Sequence, residues 1–398
     1  MKKTILSLAA CALLAQADTG TASQQQEIET LQQRVEVLEE SLKAQKEMQL
    51  QDKLQKAMLG SNSFNQNAFV PDIALIISAS AVSRDIKNSL YETYGIDGFM
   101  EADEIPFNKN RGFNLNYAEL AMHSVVGPYF DADAIFHLHP DAFEIEEAYI
   151  TTKTLPYQLQ IKAGQFRSGF GRINAIHQHA QHFVAKPLIY EALLGVEGIK
   201  DPGIALHWVA PLDTYLMIGA EALQGSNELS FGYPENSNLY IGYIKSGFDL
   251  TENITALAGV SVAHGKTGEN ADSDLYGAEL TLKYIMGSYS SLNWQSEYLY
   301  RDKAGEQQGG YYTQLLYDIN QNWEVGTRYD AITKNVADQP DNLNKESFIV
   351  QYKPFEFSKL RLQYTHDDSK SFGGIRRDDN EIVLEFLVEA GAHGAHAF

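Results

Sequence analysis

The sequence predicts an all-β protein, a transmembrane antiparallel β-barrel of about 16 strands preceded by a short periplasmic coiled-coil helix. Three observations favour this class: segments in which apolar and polar residues alternate, a regular alternation of short and long connections, and an N-terminus typical of exported proteins. A strand with one face toward lipid and one toward water needs this alternation.

The first residues are typical of a secretory signal peptide. Two lysines precede an apolar block over residues 5–14, and residues 15–17 read Ala-Gln-Ala, so we expect residues 1–17 to be removed. A competing interpretation takes residues 8–11 as a lipoprotein box, although the apolar stretch before Cys11 would then be short. Cleavage after Ala17 removes the only cysteine, so we expect no disulfide and no thiol chemistry.

Composition limits the function classes. No later apolar run reaches the ~18 residues of a membrane helix, which leaves a periplasmic, secreted or barrel protein. Tyrosine (22) exceeds phenylalanine (19) and glycine is plentiful (30), which favours the barrel. The net charge of −21 disfavours nucleic acid as a partner and a pore that only collects anions.

Residues 18–59 are predicted to form a periplasmic helix. Apolar residues fall at heptad a and d positions, and this pattern indicates a short coiled coil, which is stable only between subunits already held together. The alternative is a single solvated helix. Residues 60–68 are the predicted linker, and residues 69–398 the barrel. The apolar heptad residues are Ile28, Leu31, Val35, Leu38 and Leu42.

Alternating segments recur throughout the predicted barrel. Apolar side chains, and Thr327, occupy every second position in residues 73–79, 157–163, 323–329 and 382–388, and polar residues such as Ser78, Lys162, Glu324 and Glu385 lie between them. A soluble β-sandwich would show the same alternation, so this pattern alone does not identify a membrane barrel.

The connections distinguish the two cases. Those after even-numbered strands are short, whereas those after odd-numbered strands are generally longer and more polar. Short turns at one rim and long loops at the other are typical of a barrel in the outer membrane of a Gram-negative bacterium, with a periplasmic N-terminus. The short links are 126–128, 155–156, 211–213, 249–252, 287–289, 320–321 and 354–357; the long ones are 82–112, 167–202, 225–237, 332–345 and 367–379, with 139–142 a short exception.

The third long loop, residues 167–202, follows the fifth predicted strand and is the candidate constriction. Its basic residues could face acidic lumen residues and set a transverse field, or could form salt bridges that hold the loop to the wall. Strand parity directs further charged and histidine side chains toward the lumen. The candidate constriction and selectivity residues are Arg167, Arg172, Lys186, Asp131, Asp133, His137, His139 and His207.

The same loop carries three histidines within six residues: His177, His179 and His182. Imidazole is the commonest neutral ligand of Zn²⁺, so the three are the candidate metal ligands. No single regular element would present all three, although irregular backbone could. The alternative is that they hydrogen-bond loop backbone and polar lumen groups without any metal.

Two groups of motifs resemble known families. The segments 147–150 and 162–167 resemble the phosphate-selective porin superfamily, in which such a strand pair precedes an inward-folded third loop. Residues 171–199 and the tail 393–398 resemble a narrower bacterial group labelled zinc-regulated TonB-dependent outer-membrane receptors. The resemblance implies a trimeric or monomeric outer-membrane barrel linked to zinc. A TonB-dependent transporter would need a large plug domain where this sequence predicts a helix, so we expect a porin-like channel without energised transport.

The leading functional hypothesis is passive diffusion of small hydrophilic solutes or ions through a barrel narrowed by residues 167–202. One alternative is a zinc-binding receptor or uptake protein that uses the loop histidines; another is a barrel that anchors a coiled coil. No enzymatic activity is predicted, since hydrolase, metalloprotease and phosphate-loop motifs are missing from the sequence. The expected partners are membrane lipid, small solutes or ions, and two further copies in a homotrimer; zinc is the only cofactor considered.

Overall fold

The computed structural model describes residues 71–100, 105, 107–138, 143–232, 238–336, 339 and 342–391. These residues all belong to one compact unit. The predicted signal peptide, coiled coil and linker lie outside the described residues, as do His139 and the histidines of the tail.

The described residues are mostly strand. The strands are β1 (Asp72–Arg84), β2 (Tyr94–Ile96), β3 (Gly112–Val126), β4 (Phe130–Leu138), β5 (Phe143–Thr152), β6 (Leu159–Arg167), β7 (Lys200–Val209), β8 (Tyr215–Leu223), β9 (Leu239–Thr251), β10 (Ile254–Lys266), β11 (Asp272–Ile285), β12 (Ser291–Lys303), β13 (Glu306–Asp318), β14 (Trp323–Lys334), β15 (Asn344–Tyr352), β16 (Ser358–Asp367), β17 (Lys370–Phe372), β18 (Ile375–Arg376) and β19 (Asp379–Gly391).

Sixteen of these strands close into one antiparallel barrel, which confirms the predicted fold and strand number. The order is β1, β19, β16, β15, then each preceding strand in turn back to β3, which pairs with β1. The first and last strands close the seam over a long register, from Ala74 opposite Gly391 to Arg84 opposite Glu381. The short strands β2, β17 and β18 form a separate three-stranded sheet.

The two faces of the barrel wall differ as the alternation predicts. Ile382, Leu384 and Phe386 of β19 point outward and are 48%, 43% and 51% exposed. Glu385, between them, points inward and is buried, with Ser78 Oγ 2.8 Å and Arg361 Nη1 3.0 Å from its carboxylate. A closed barrel with an apolar outer face leaves no unpaired strand edge in lipid. The protein is therefore an outer-membrane barrel of a Gram-negative bacterium.

The connections also follow the predicted alternation, with the long ones at a single rim, the extracellular one. The boundaries of the third loop differ from the predicted 167–202. Arg167 and Lys200 are paired residues of β6 and β7, and the pairing continues through Asp201 opposite Phe166 and Pro202 opposite Gln165. The loop, called the inward loop below, therefore comprises residues 168–199.

The described residues include two short α-helices, α1 (Asn88–Tyr91) in the first long loop and α2 (Leu188–Leu194) in the inward loop. Neither is long or apolar enough to cross a membrane. Single 3₁₀ turns occupy Pro156–Gln158 and Gln178–Ala180.

The largest apolar cluster lies inside the barrel and is built around the inward loop. Six of the seven α2 residues are buried, and they pack with Phe170 and Ile173 of the same loop. Lumen-facing residues such as Tyr243, Leu299 and Tyr312 complete the cluster. The barrel interior at this level is therefore packed like a domain core instead of being lined only by solvated side chains.

Candidate functional site

The inward loop leaves β6 through a distorted piece of strand. Gly164 has φ +137°, and a Cβ on this residue would lie 2.2 Å from the Ala148 carbonyl oxygen and 2.7 Å from Tyr149 Cα. Only glycine tolerates both this conformation and this approach. The close contact lets β6 stay paired with β5 while its end turns toward the lumen.

Ion pairs hold the base of the loop to β5. Arg167 pairs with Glu146 and lies 3.4 Å from a carboxylate oxygen of Glu197. Lys200 Nζ lies 2.7 Å from both Glu146 and Glu197, and 2.9 Å from Glu144. Arg167 and Lys200 are thus paired with carboxylates of β5 and of the loop itself, and Arg167 is buried.

The first half of the loop is attached to β8, β9 and β12. Gly169 N–H donates to Glu221 at 2.9 Å, and the Gly171 carbonyl accepts from Lys245 at 2.6 Å. Glu297 of β12 accepts from Arg172 N–H at 3.1 Å. The Arg172 contact uses its backbone; its half-buried side chain has an Nε without a hydrogen-bond partner among the described residues.

The second half is attached to the opposite wall. Asp330 of β14 accepts from Leu188 N–H at 2.9 Å, and Gln363 of β16 accepts from Val184 N–H at 2.8 Å. Lys345 of β15 pairs with Glu191 at 2.7 Å. Together with the contacts of the first half, these bonds fix the loop across the lumen instead of along one side of it.

Two of the three predicted metal ligands come together. The rings of His177 and His179 stack with centroids 5.6 Å apart. Both face Glu119 of β3, whose Oε2 lies 3.9 Å from His177 Nδ1 and 3.4 Å from His179 Nδ1. All three side chains are buried. Sequence reasoning missed Glu119, although its position in the alternation of β3 directs it inward.

The third histidine lies apart from this cluster. His182 Nδ1 is 2.9 Å from Glu324 of β14, and the carboxylate also binds Lys353 at 3.1 Å. The structure therefore brings His177 and His179 together with Glu119 and places His182 against Glu324. The loop turns between residues 179 and 182, so its histidines reach different walls of the barrel.

The pKa values of His177 and Lys186, both in the inward loop, are shifted in ways that bear on the site. Burial lowers the pKa of the His177 imidazole, but the hydrogen bond from Nε2 to Glu147 at 2.7 Å and the charge of that carboxylate outweigh it, so the net pKa is raised. Burial and the nearby Arg167 charge lower the pKa of Lys186 to about 7. Lys186 Nζ has no hydrogen-bond partner among the described residues.

Lys186 also borders a cavity of about 90 Å³ between the first long loop and the inward loop. Tyr91 and Tyr94 line one side of it, and Lys345 and Asp367 belong to the barrel wall. Lys186 thus borders a space that residues of the first long loop, the inward loop and the barrel wall line together.

The remaining candidates within the described residues lie on two strands: Asp131, Asp133 and His137 on β4, and His207 on β7. Asp131 pairs with Lys153 at 2.8 Å, and Asp133 with His123 at 2.7 Å. His137 Nε2 lies 3.2 Å from Glu119 Oε2, and His207 Nε2 lies 2.8 Å from the Tyr243 hydroxyl. These contacts join neighbouring lumen-facing side chains, and only His137 belongs to the surroundings of the histidine cluster.

No family model matches the chain. An uncharacterized protein of Aquifex aeolicus is 38% identical to this chain in an alignment 385 positions long, which covers 84% of this chain and 81% of the relative.

Solved structures with a similar fold are much more distant in sequence. The anion-selective porin of Comamonas acidovorans superposes with a TM-score of 0.55 at 10% identity, over 81% of this chain and 100% of the porin. OmpT of Vibrio cholerae gives 0.53 at 12% identity, over 83% and 100%. The channel DcaP of Acinetobacter baumannii gives 0.52 at 15% identity, over 80% and 97%. At these identities the comparison shows a shared fold.

Proposed function

This chain belongs to one family with the Aquifex aeolicus protein, and we propose that it is a porin-like channel through which small hydrophilic solutes or ions diffuse passively. The observation that supports this proposal is the inward loop, which is folded inside a closed outer-membrane barrel and tied to opposite walls. A loop in this position narrows the lumen and selects what passes. Two proteins with a similar fold are named as a channel and as an anion-selective porin.

The extent of packing around the loop sets the expected size of the pore. Phe183 is buried against Leu316 and Ile349, and Val184 packs against Val82 and Val383. Because these apolar contacts hold the loop against the wall, solutes can pass only through the spaces left between the loop and the rest of the wall. We therefore propose a low-conductance channel whose current depends on how firmly the loop is docked.

Single-channel recording in planar bilayers tests this function. The wild-type protein should give small stepwise currents, and Phe183→Ser/Val184→Ser should give larger ones, because both apolar anchors are weakened. Ala175→Ser changes an exposed residue of the same loop and is the matched control, with no expected change. A barrel that passes no current, either as wild type or as the double variant, contradicts the proposal.

Selectivity and assembly are further parts of the proposal. The acidic composition favours cations, and a reversal potential in a salt gradient measures this preference directly. The homotrimer remains a prediction, which native mass measurement in detergent can check. The narrower resemblance to receptors labelled as zinc-regulated and TonB-dependent likewise remains a prediction.

A further inference from the structure

One carboxylate and two imidazoles meet where the inward loop reaches β3. Ligand atoms of Glu119, His177 and His179 all lie within 4.8 Å of one another, and the three side chains are buried. Two of the ligands come from the loop and one from the wall. An ion bound by all three would therefore join two parts of the chain that are far apart in sequence.

The spacing suits a small metal ion. Metal–nitrogen and metal–oxygen bonds of about 2.0–2.2 Å in a tetrahedral site place neighbouring ligand atoms about 3.4 Å apart. Glu119 Oε2 and His179 Nδ1 are 3.4 Å apart, and Glu119 Oε2 and His177 Nδ1 are 3.9 Å apart. The imidazole ligand atoms of His177 and His179 lie within 4.8 Å of each other. Contractions of about half an ångström between His177 and Glu119, and of at most about 1.4 Å between the two imidazoles, bring the set to the tetrahedral spacing.

The hydrogen bonding of His177 prepares it as a ligand. Its Nε2 lies 2.7 Å from Glu147 Oε1, so the neutral ring donates through Nε2 and keeps its lone pair on Nδ1, 3.9 Å from Glu119 Oε2. A carboxylate behind a histidine in this way fixes the ring and increases the basicity of the ligating nitrogen. Glu147 would be this supporting group, one step removed from the ion.

The local charges also favour a dication. Glu119 and Glu147 bring two negative charges into the buried cluster, whereas Glu146 beside them is already met by Arg167 and Lys200. A doubly charged ion with two neutral imidazoles would balance Glu119 and Glu147. Nitrogen and oxygen donors in this combination suit zinc and similar transition metals better than Mg²⁺ or Ca²⁺.

We propose that Glu119, His177 and His179 bind one divalent transition-metal ion of the Zn²⁺ class, which fastens the inward loop to β3. Three protein ligands leave a fourth position for water. His137, 3.2 Å from Glu119 Oε2, orients the carboxylate. The site depends on loop geometry and not on conduction, so its test is independent of channel activity.

Equilibrium dialysis of Zn²⁺ against the folded, EDTA-treated full chain in detergent tests the proposal. His393 and His396 are changed to alanine in every protein, so that the tail contributes no binding. The wild-type loop should bind one ion per barrel. Glu119→Gln should weaken binding by about 100-fold or more, and Glu147→Gln by about 10–100-fold, as for groups that support a metal ligand.

His182→Ala is the matched control, because His182 belongs to the same loop but contacts Glu324. Its zinc affinity should equal that of the wild type, whereas His179→Gln should lose binding. Folding of each variant is checked by heat-dependent electrophoretic mobility, and His179→Gln provides the second test should Glu119→Gln fail to fold. Co²⁺ absorption should report a four-coordinate site. Equal zinc binding by the wild type and the folded His179→Gln variant, or an equal loss in His182→Ala, would overturn the proposal.

Discussion

The hydroxyl of Tyr190 donates a 2.7 Å hydrogen bond to Oε1 of Glu297, joining α2 of the inward loop to β12. Both residues are buried, and Tyr312 donates to the other carboxylate oxygen at 3.1 Å. Burial raises the pKa of Tyr190 well above its ordinary value, so its hydroxyl remains a donor. The bond lies inside the apolar cluster, where an unsatisfied carboxylate is costly.

Removing this hydroxyl should loosen the loop. Tyr190→Phe leaves Glu297 without one of its donors, and we expect a loss of about 1–3 kcal/mol in the free energy of unfolding. Urea unfolding followed by tryptophan fluorescence measures the loss. Tyr240→Phe, at a 57% exposed position on β9, is the control and should leave stability unchanged. Equal stability of the two variants would show that the Tyr190 bond does not hold the loop.

Lys186 should give a stability effect that depends on pH. Its pKa is about 7 in the folded protein and near 10.5 when unfolded, so below pH 7 the lysine is charged in both states and the full cost of burying the charge is present. Between these values the folded state binds fewer protons than the unfolded state, so wild-type stability rises with pH. Lys186→Met should stabilise the protein by on the order of 2–4 kcal/mol at pH 6, and the gain should vanish above pH 10.5.

Urea unfolding at a series of pH values measures this gain. Lys345→Met is the comparison, because Lys345 pairs with Glu191 and its loss leaves a carboxylate uncompensated. It should destabilise the protein. If the gain in unfolding free energy for Lys186→Met did not change with pH, the lysine would not be a buried cation with a lowered pKa.

Gly164 should be intolerant of any side chain. In Gly164→Ala the new Cβ would meet the Ala148 carbonyl oxygen at 2.2 Å, in a backbone conformation with φ +137°. We expect the β5–β6 pairing to be disturbed and the yield of folded barrel to fall severalfold, as seen by heat-dependent electrophoretic mobility. Gly287→Ala is the matched control, since nothing lies within 4 Å of its Cβ position, and it should fold normally.

Charge preference should respond to the lumen carboxylates that retain some exposure. Asp131 and Asp133 are about one-fifth exposed at their side chains (22% and 21%). If solutes pass them, Asp131→Asn/Asp133→Asn should move the reversal potential toward anions. Asp213→Asn makes the same chemical change in an exposed turn between β7 and β8 and should have little effect. If the reversal potential shifted equally in both variants, Asp131 and Asp133 would not lie on the route of the permeating ions.

The strand number and the position of the inward loop could be predicted because both depend on local patterns. Alternation and turn length repeat along the chain, and each repeat supports the others. The loop boundary was predicted less well, since Arg167 and Lys200 continue the strand pairing into a segment whose sequence has no clear alternation. Cross-strand pairing is a long-range interaction, so it can extend a strand beyond its local pattern.

The histidine cluster is a feature that sequence patterns predict only in part. Three histidines within six residues suggested one ligand set, but His182 reaches Glu324, 142 residues further on, while His177 and His179 reach Glu119. Parity predicts that Glu119 points inward, but not which loop residue it meets. That depends on the path of irregular backbone, which has no periodicity from which to predict it.

The packing of Val184 has a consequence for how the barrel forms. Its side chain packs against Val82 of β1 and Val383 of β19, the two strands that close the seam. These strands lie at opposite ends of the barrel sequence. The apolar contact that they jointly offer to Val184 therefore exists only once β1 and β19 have paired. Loop docking and seam closure are therefore coupled steps, and the last strand to arrive completes the interior as well as the wall.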